Sequence, residues 1–421
     1  MVVGKTEVTF KLICLGCRVN QYEIQGYRDQ LTILGYHEIL DPQKPVDLCI
    51  VNTCAVTGAA ESASRHTVRQ LCRQNPHACL VITGCLGESD KEFFSSLGRQ
   101  CLIIPNKDKS RLIEKIFPYT EMLPEFQIRN FEGKSRACIK IQDGCNSFCS
   151  YCIIPYLRGR SISRPAQEIL EEISGLISRG YREVVITGIN VGDYCDKDIS
   201  LAALIYEIDK IQGIERIRIS SIDPEDVTEE LRRALTSCEH TCPSSHLVLQ
   251  SGSNSILRRM NRKYTRQDFL NCVEDLRTYD SQYAFTTDVI VGFPGESEQD
   301  FEDTLRLIED IGFIKVHIFP YSSRRRTKAA SFEHQVTQKV ITERKKLLAE
   351  VAKQVAHKEM VKRLGAITQV LVEQIHDGVA VGHSPYFEKV FFSAFPNTQI
   401  NTLVSIRLNT IRNASLCGEC L

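Results

Sequence analysis

A chain of 421 residues is too long for one ordinary hydrophobic core and implies two or three domains. Its 52 basic residues are matched by 52 acidic ones, which excludes a global pull toward nucleic acid or membrane and leaves only local patches for that purpose. With 43% hydrophobic and 25% charged residues, no apolar run near the roughly 18–20 residues of a membrane span and no signal-peptide architecture at the start, the expectation is a cytoplasmic globular protein without a membrane partner.

Residues 1–120 alternate short apolar runs with helical patterns. "VTFKLICLGC" reads as a strand, "QYEIQGYRDQLTILGY" as an amphipathic helix, and "VDLCIVNTC" and "ACLVITGC" as further buried strands. That alternation predicts an open parallel α/β sheet. A connector follows, punctuated by Pro118, Pro124 and Gly133. Residues 131–362 repeat the alternation on a larger scale, with six strand candidates, fewer than the eight of a full barrel. A partial, open (βα)6 barrel is expected. Its last helical stretch is basic: from Arg324 to Arg363 the chain carries twelve Lys/Arg and four Glu, a local net of +8. Residues 363–421 change to closely spaced short strands, predicting a small antiparallel β-barrel. Of its aromatics Tyr386, Phe387, Phe391, Phe392 and Phe395, most are expected in the barrel core.

Eighteen cysteines without an export signal point to thiols that bind metal, react or fill cores, not to a disulfide framework. "GCNSFCSYC" places Cys145, Cys149 and Cys152 just after the first barrel strand, where such folds carry their chemistry. Three thiolates suit a [4Fe–4S] cluster with one iron left open; the alternatives are structural zinc or incidental cysteines. Cys17, Cys54 and Cys85 each follow a strand of the first domain, so they converge at the crevice where open sheets bind ligands. A second open cluster and chance both fit that spacing, since Cys14, Cys49, Cys72, Cys79 and Cys101 lie in the same domain. Cys14, Cys49 and Cys79 fall within strands and are expected in the core. Cys238 and Cys242 with His240 and His246 are expected to be incidental rather than a zinc site. Cys417 and Cys420 form a CxxC pair expected in an inert tail, and His317 is expected to be a satisfied barrel residue.

The CxxxCxxC run, with Tyr151 before its last cysteine, resembles the signature of the radical S-adenosylmethionine (SAM) superfamily, in which SAM itself takes the open iron. "VVITGIN" is similar to that superfamily's second strand and the turn meeting the methionine moiety, and "DVIVGFPGE" to its fifth-strand motif beside the adenine. "LGCRVNQYE", "VNTCAVT", "SSIDPED" and "HLVLQSGSNSILRRMNRKYT" resemble the methylthiotransferase family, and the match covers nearly the whole chain. "GCRVNQYE" with "NTCAVT" is most similar to the type acting on N6-threonylcarbamoyladenosine next to the tRNA anticodon.

The resemblance implies two [4Fe–4S] clusters, one on Cys145, Cys149 and Cys152 and one on Cys17, Cys54 and Cys85. It implies SAM as both radical source and methyl donor, with Tyr151, Thr187, Gly188, Gln250 and Gly292 in the SAM pocket. The first cluster would reduce SAM to a 5′-deoxyadenosyl radical that activates adenine C2; the second would hold the sulfur. The last domain resembles a TRAM domain, which implies binding of the tRNA anticodon loop. An electron-donor protein such as flavodoxin or ferredoxin and a sulfur donor are also implied. Alternatives are a methylthiotransferase acting on isopentenyladenosine of tRNA or on ribosomal protein S12, or a non-catalytic iron–sulfur RNA-binding protein. Two departures from the family pattern stand out. Arg326 replaces a usual Gly, and "GCLGESD" lacks the "AQ" that often follows the third cysteine.

Overall fold

The computed structural model describes residues 8–99, 101–120, 122–131 and 133–421. Five short segments pair in parallel to make the first sheet: β1 (Thr9–Cys14), β2 (His37–Glu38), β3 (Leu48–Thr53), β4 (Cys79–Gly84) and β5 (Cys101–Ile103). Their spatial order is β2-β1-β3-β4-β5. β3 is buried along its whole length, as the unbroken apolar run of a central strand requires. Helices α1 (Arg18–Ile33) and α2 (Gly58–Gln74) follow β1 and β3, and the short α3 (Cys85–Ser89) starts directly at the end of β4. α2 is capped by Thr57, whose hydroxyl accepts from the Ala60 N–H at 3.1 Å. At the same position of α1 stands Cys17, whose side chain makes no capping bond.

The connector is docked rather than free. Phe126 sits between the rings of Tyr22 and Tyr27, with centroids 6.0 and 5.6 Å away. The buried carboxylate of Glu172 accepts from the Tyr22 hydroxyl and the Ile128 N–H, both at 2.9 Å, and from Arg164 at 2.8 Å.

Six parallel strands follow in order: β6 (Arg136–Lys140), β7 (Glu183–Thr187), β8 (Arg216–Ile219), β9 (Ser244–His246), β10 (Ala284–Val291) and β11 (Lys315–Pro320). Single parallel bridges, Ile217 to Thr241 and Ile222 to Leu247, join the first three to the last three. Among the described residues β6 and β11 do not pair, so the barrel is open between them. The helices that matter below are α4 (Ile154–Leu157), α5 (Asn254–Arg259), α6 (Glu298–Ile311) and α7 (Gln338–Lys362). In α7 the charge is two-sided. Arg344 is buried and paired with Glu296 at 2.6 Å, whereas Lys345, Lys346, Lys353 and Lys358 face outward.

The last domain is a closed barrel of β12 (Ile367–His376), β13 (Val379–His383), β14 (Lys389–Ser393), β15 (Leu403–Arg412) and β16 (Ser415–Cys420), in the order β12-β13-β14-β16-β15. Every pair is antiparallel except β14–β16, which is parallel. Two expectations need correction here. Cys417 and Cys420 belong to an ordered barrel strand, not a tail; their odd separation sends them to opposite faces, so they do not converge on a metal. Of the five aromatics, only Phe392 is buried in this barrel's core. Tyr386 and Phe387 instead stack on Arg363, Arg136 and Arg218 at the seam with the larger barrel.

Candidate active site

The loop carrying Cys145, Cys149 and Cys152 leaves the end of β6 and is braced by the end of α5. Asn261 donates to the carbonyl of Phe148 (3.0 Å), and the Ser150 N–H donates to that of Met260 (2.9 Å). Ser150 Oγ donates to the Arg259 carbonyl at 2.7 Å, and the Ala329 N–H donates to the carbonyl of Ser150 at 2.8 Å. Two groups already address the sulfurs: Arg262 Nη1 lies 3.1 Å from Cys149 Sγ, and the Ser147 N–H lies 3.4 Å from Cys145 Sγ. Burial, then the neighbouring Cys149, pushes the Cys152 thiol up to about 12. Such a thiol gives up its proton only to a strongly bound cation.

Cys17, Cys54 and Cys85 sit at the ends of the adjacent strands β1, β3 and β4, as their spacing predicted. Cys54 and Cys85 are buried, and Cys17 is exposed. Burial raises the Cys54 thiol to about 11, with Cys85 and Cys17 adding to the shift. The backbone around the trio is pinned. Ser64 Oγ accepts from the Cys54 N–H at 3.1 Å and donates to the Cys54 carbonyl at 2.8 Å. Thr53 Oγ1 accepts from the N–H groups of Leu86 and Gly87 at 3.1 and 3.2 Å.

The donor sets fit clusters better than single ions. Zinc with sulfur at about 2.3 Å needs thiolates about 3.8 Å apart. Among the described residues the one group with three ligand atoms all within 4.8 Å of one another is His246, Asp288 and His317, so neither cysteine trio closes that tightly. Wider thiolate triangles suit a multi-iron cluster.

The two trios share surroundings that sequence reasoning missed. Cys85 belongs to an apolar cluster with Ile153 and with Ile154 and Leu157 of α4, against which Cys145 and Cys152 also pack. Beneath it lies a buried polar network. Glu23 of α1 accepts from Lys109 at 2.5 Å and from Lys140 at 3.0 Å. Arg158 donates to Asp143 at 2.8 Å and also to Asn20, which in turn bonds the carbonyls of Leu15 (2.6 Å) and Thr53 (3.2 Å). Three cations face two carboxylates, leaving one positive charge beside sites that become anionic when thiolates bind iron. A signal was present in sequence: Gly16, Gly84 and Gly144 immediately precede Cys17, Cys85 and Cys145, and all three have positive φ. A Cβ on Gly16 would lie 2.7 Å from Cys54 Cβ and 2.9 Å from its sulfur.

The other predicted residues are spread over the barrel rim. Tyr151 packs edge-on to Phe293. Thr187 is buried at the end of β7, and Gly188 begins a turn in which Gln142 Oε1 accepts from the N–H groups of Ile189 (2.9 Å) and Asn190 (3.1 Å). Gln250, at φ +62°, is buried, and its Oε1 accepts no hydrogen bond from any described residue. Gly292 follows β10 at φ +75°. The space a Cβ would take is filled by Ile341 of α7, so helix packing and the left-handed backbone both favour glycine there. Cys14, Cys49 and Cys79 lie in β1, β3 and β4; only Cys49 is fully buried. Cys238 and Cys242 are buried, while His240 bonds Asp209 (2.9 Å) and His246 bonds Thr286 (2.8 Å), which scatters the imagined zinc set. His317 is half-buried, opposite Asp288 in register.

Residues 139–308 match the radical SAM superfamily and residues 9–104 the uncharacterized protein family UPF0004. The chain is 70% identical, over all of both chains, to the threonylcarbamoyladenosine tRNA methylthiotransferase MtaB of Chlamydia pneumoniae. It is 33% identical to the protein of that name from Bacillus subtilis, covering 94% of this chain and 92% of that one. It is 34% identical to the tRNA-2-methylthio-N(6)-dimethylallyladenosine synthase of Clostridium novyi, covering 96% and 94%. In fold it resembles the radical SAM methyltransferase TsrM from Kitasatospora setae, with a TM-score of 0.57 at 14% identity over 77% of this chain and 75% of that one.

Proposed function

The chain belongs to the radical SAM tRNA methylthiotransferase family, and from that premise we propose that it converts N6-threonylcarbamoyladenosine beside the tRNA anticodon to the 2-methylthio form. The observation that carries this reading is that Cys85 of one trio and Cys145 and Cys152 of the other meet in one apolar cluster, with a buried polar network joining the segments that carry them. When bound, a [4Fe–4S] cluster with SAM on Cys145, Cys149 and Cys152 and a second cluster on Cys17, Cys54 and Cys85 supply radical formation and sulfur delivery at an unactivated aromatic C–H.

The chain's own residues prepare that chemistry. Arg262, paired with Asp223, holds a cation against the sulfur of Cys149. Gln250 offers its free carbonyl oxygen to a SAM hydroxyl or amine, and Thr187 and Gly188 line the same rim. α7 presents exposed lysines to phosphates, and the closed barrel adds Lys389, Arg407 and Arg412, which supplies salt-dependent affinity for an anticodon stem-loop. A reduced flavodoxin- or ferredoxin-like donor and a sulfur donor complete the reaction in the cytoplasm. The domain limits we assign are 1–120, 131–362 and 363–421, the last as a TRAM-type RNA-binding domain.

The test is nucleoside mass spectrometry of tRNA from a host lacking its own methylthiotransferases and expressing this chain. A methylthio gain on threonylcarbamoyladenosine is expected. A gain on isopentenyladenosine instead would favour the second reading, which the 34% relative from Clostridium novyi keeps open. Cys149→Ala should abolish SAM cleavage. Cys54→Ala should retain cleavage and lose methylthio product, and product from that variant would remove the second-cluster assignment.

A further inference from the structure

Three side chains on the last three strands of the large barrel face its interior together. Phe285 and Val289 of β10 and Leu247 belong to the core under the helices, and Val316 and Ile318 of β11 pack against it. Side chains alternate along a strand, so His246 of β9, Asp288 of β10 and His317 of β11 point the other way, into the barrel. Register brings them side by side: His246 pairs with Thr286, and Asp288 with His317. The group lies just below the rim, since the Gln250 N–H donates to the Asp288 carbonyl at 2.8 Å.

The contacts within the group are not those of a hydrogen-bonded cluster. His246 Nδ1 lies 2.8 Å from Thr286 Oγ1, which fixes the ring and turns Nε2 toward Asp288. Nε2 stands 3.3 Å from Asp288 Oδ1, but that approach is not an aligned hydrogen bond. The Asp288 carboxylate accepts none from any described residue, and the His317 ring, expected to be satisfied, makes none either. The His246 and His317 ring centroids are 5.9 Å apart with the planes tilted by 52°, so the rings do not stack. Lys315 lies two residues before His317 on the same face, but it is exposed and within ion-pair distance of no carboxylate among the described residues. The charge of Asp288 is therefore not neutralised by a lysine or arginine.

One ligand atom from each of the three lies within 4.8 Å of the other two. An ion held by nitrogen and oxygen at about 2.1 Å keeps neighbouring donors about 3.0–3.4 Å apart. The Nε2–Oδ1 spacing of 3.3 Å falls in that range. An imidazolium paired with Asp288 would instead aim its N–H at the oxygen. Two imidazoles and a carboxylate are a donor set for a divalent first-row ion, and the Thr286 contact on the far nitrogen of His246 is the outer support that ligating histidines ordinarily have. We propose that His246, Asp288 and His317 form a binding site for a divalent transition ion such as Mn2+, Fe2+ or Zn2+, separate from both cysteine trios. Three protein ligands leave positions open toward the barrel interior for water or a substrate oxygen. The site does not depend on which adenosine is modified.

The test uses the iron-loaded full chain with its clusters oxidised and Mn2+ as the first probe, because Mn2+ favours oxygen donors over thiolates. Loss of the free-ion electron paramagnetic resonance signal counts the sites, and spin-echo modulation by imidazole nitrogen identifies the ligands. One Mn2+ per chain is expected, with modulation from two imidazoles. His317→Ala and Asp288→Asn should each weaken binding roughly tenfold or more, and Thr286→Val by about tenfold, at unchanged iron content. Zn2+ retained after desalting, native chain against His317→Ala, is the second reading, and the native chain should keep one equivalent more. Mn2+ bound without nitrogen modulation overturns the proposal, as does binding to His317→Ala as tight as to the native chain. The absence of a saturable Mn2+ site together with equal Zn2+ in the two chains overturns it too. Should a variant fail to hold iron, the modulation from the native chain decides.

Discussion

Arg326 occupies a backbone conformation that suits glycine. The Thr327 N–H donates to the Arg324 carbonyl at 3.1 Å, and φ at Arg326 is +79°, the signature of a type II turn at its third position. The methylthiotransferase pattern has Gly there, and the fold keeps the glycine geometry although the residue has changed. The turn is held by its neighbours: Arg324 is paired with Glu61 of α2, and Ser322 accepts from the Gly58 N–H at 3.0 Å. Arg326→Gly should therefore stabilise the protein by about 0.5–1 kcal/mol, the relief of left-handed strain less the entropy glycine adds to the unfolded chain. Urea unfolding measures this, and an unchanged or lowered midpoint would mean that the Arg326 side chain contributes a contact of its own. Because Arg326 is exposed at the mouth of the barrel, the same variant should also flatten the salt dependence of stem-loop binding.

At the scale of the element, the trio of Cys17, Cys54 and Cys85 is a product of how strands end. β1, β3 and β4 each deliver a cysteine to one edge, and Gly16 and Gly84 turn the chain so that backbone and sulfur come close. Cys17 takes the N-cap position of α1, where Ser or Asp would otherwise stabilise the helix by about 1 kcal/mol. Local stability is given up there for a ligand position. Gly16→Ala would push a methyl into Cys54 and force a left-handed conformation on alanine. The expected outcome is loss of about half the bound iron with SAM cleavage retained, since the Cys145–Cys152 loop is braced independently by Asn261 and Ser150. Iron and sulfide analysis beside a cleavage assay checks it; loss of both iron and cleavage would show the two trios to be interdependent.

Over the whole molecule, Glu23 ties the domains together. It is fully enclosed, and although burial alone would raise its carboxyl, Lys109, Lys140 and Arg158 hold it down at about 2. Lys109 comes from the first domain, Lys140 from β6 and Arg158 from the end of α4, so one carboxylate joins three segments distant in sequence. A depressed carboxyl contributes stability that is complete above its ordinary value near 4.5 and is lost as pH falls toward about 2. Glu23→Gln should cost about 3–5 kcal/mol at neutral pH by leaving buried cations short of a partner. Its unfolding midpoint should then depend less on pH between 4.5 and 2 than that of the native chain. A native-like midpoint in the variant would mean that Asp143 and Asn20 suffice to hold the network.

Much of this architecture was legible in the chain itself. The six strands of the second domain and three of the five in the first follow from the alternation of apolar runs with helical periods, because burial on one or both faces imposes those periods; the short edge strands β2 and β5 carry too few residues to show one. The six cysteines stand out because each follows a strand, and loops at strand ends are where side chains converge. The basic texture of residues 324–363 was visible too, but not that Arg324, Arg344 and Arg363 turn inward to Glu61, Glu296 and Glu388. Charge pairing between separate elements, from 25 to 263 residues apart here, has no sequence period. For the same reason the Glu23 network, the stacking of Tyr386 and Phe387 on seam arginines, and the filling of Gly292's side by Ile341 were decided only by tertiary structure. Residue types and spacing determined which groups could bind iron. The packing of separate strands and helices decided that members of both groups would share one buried wall.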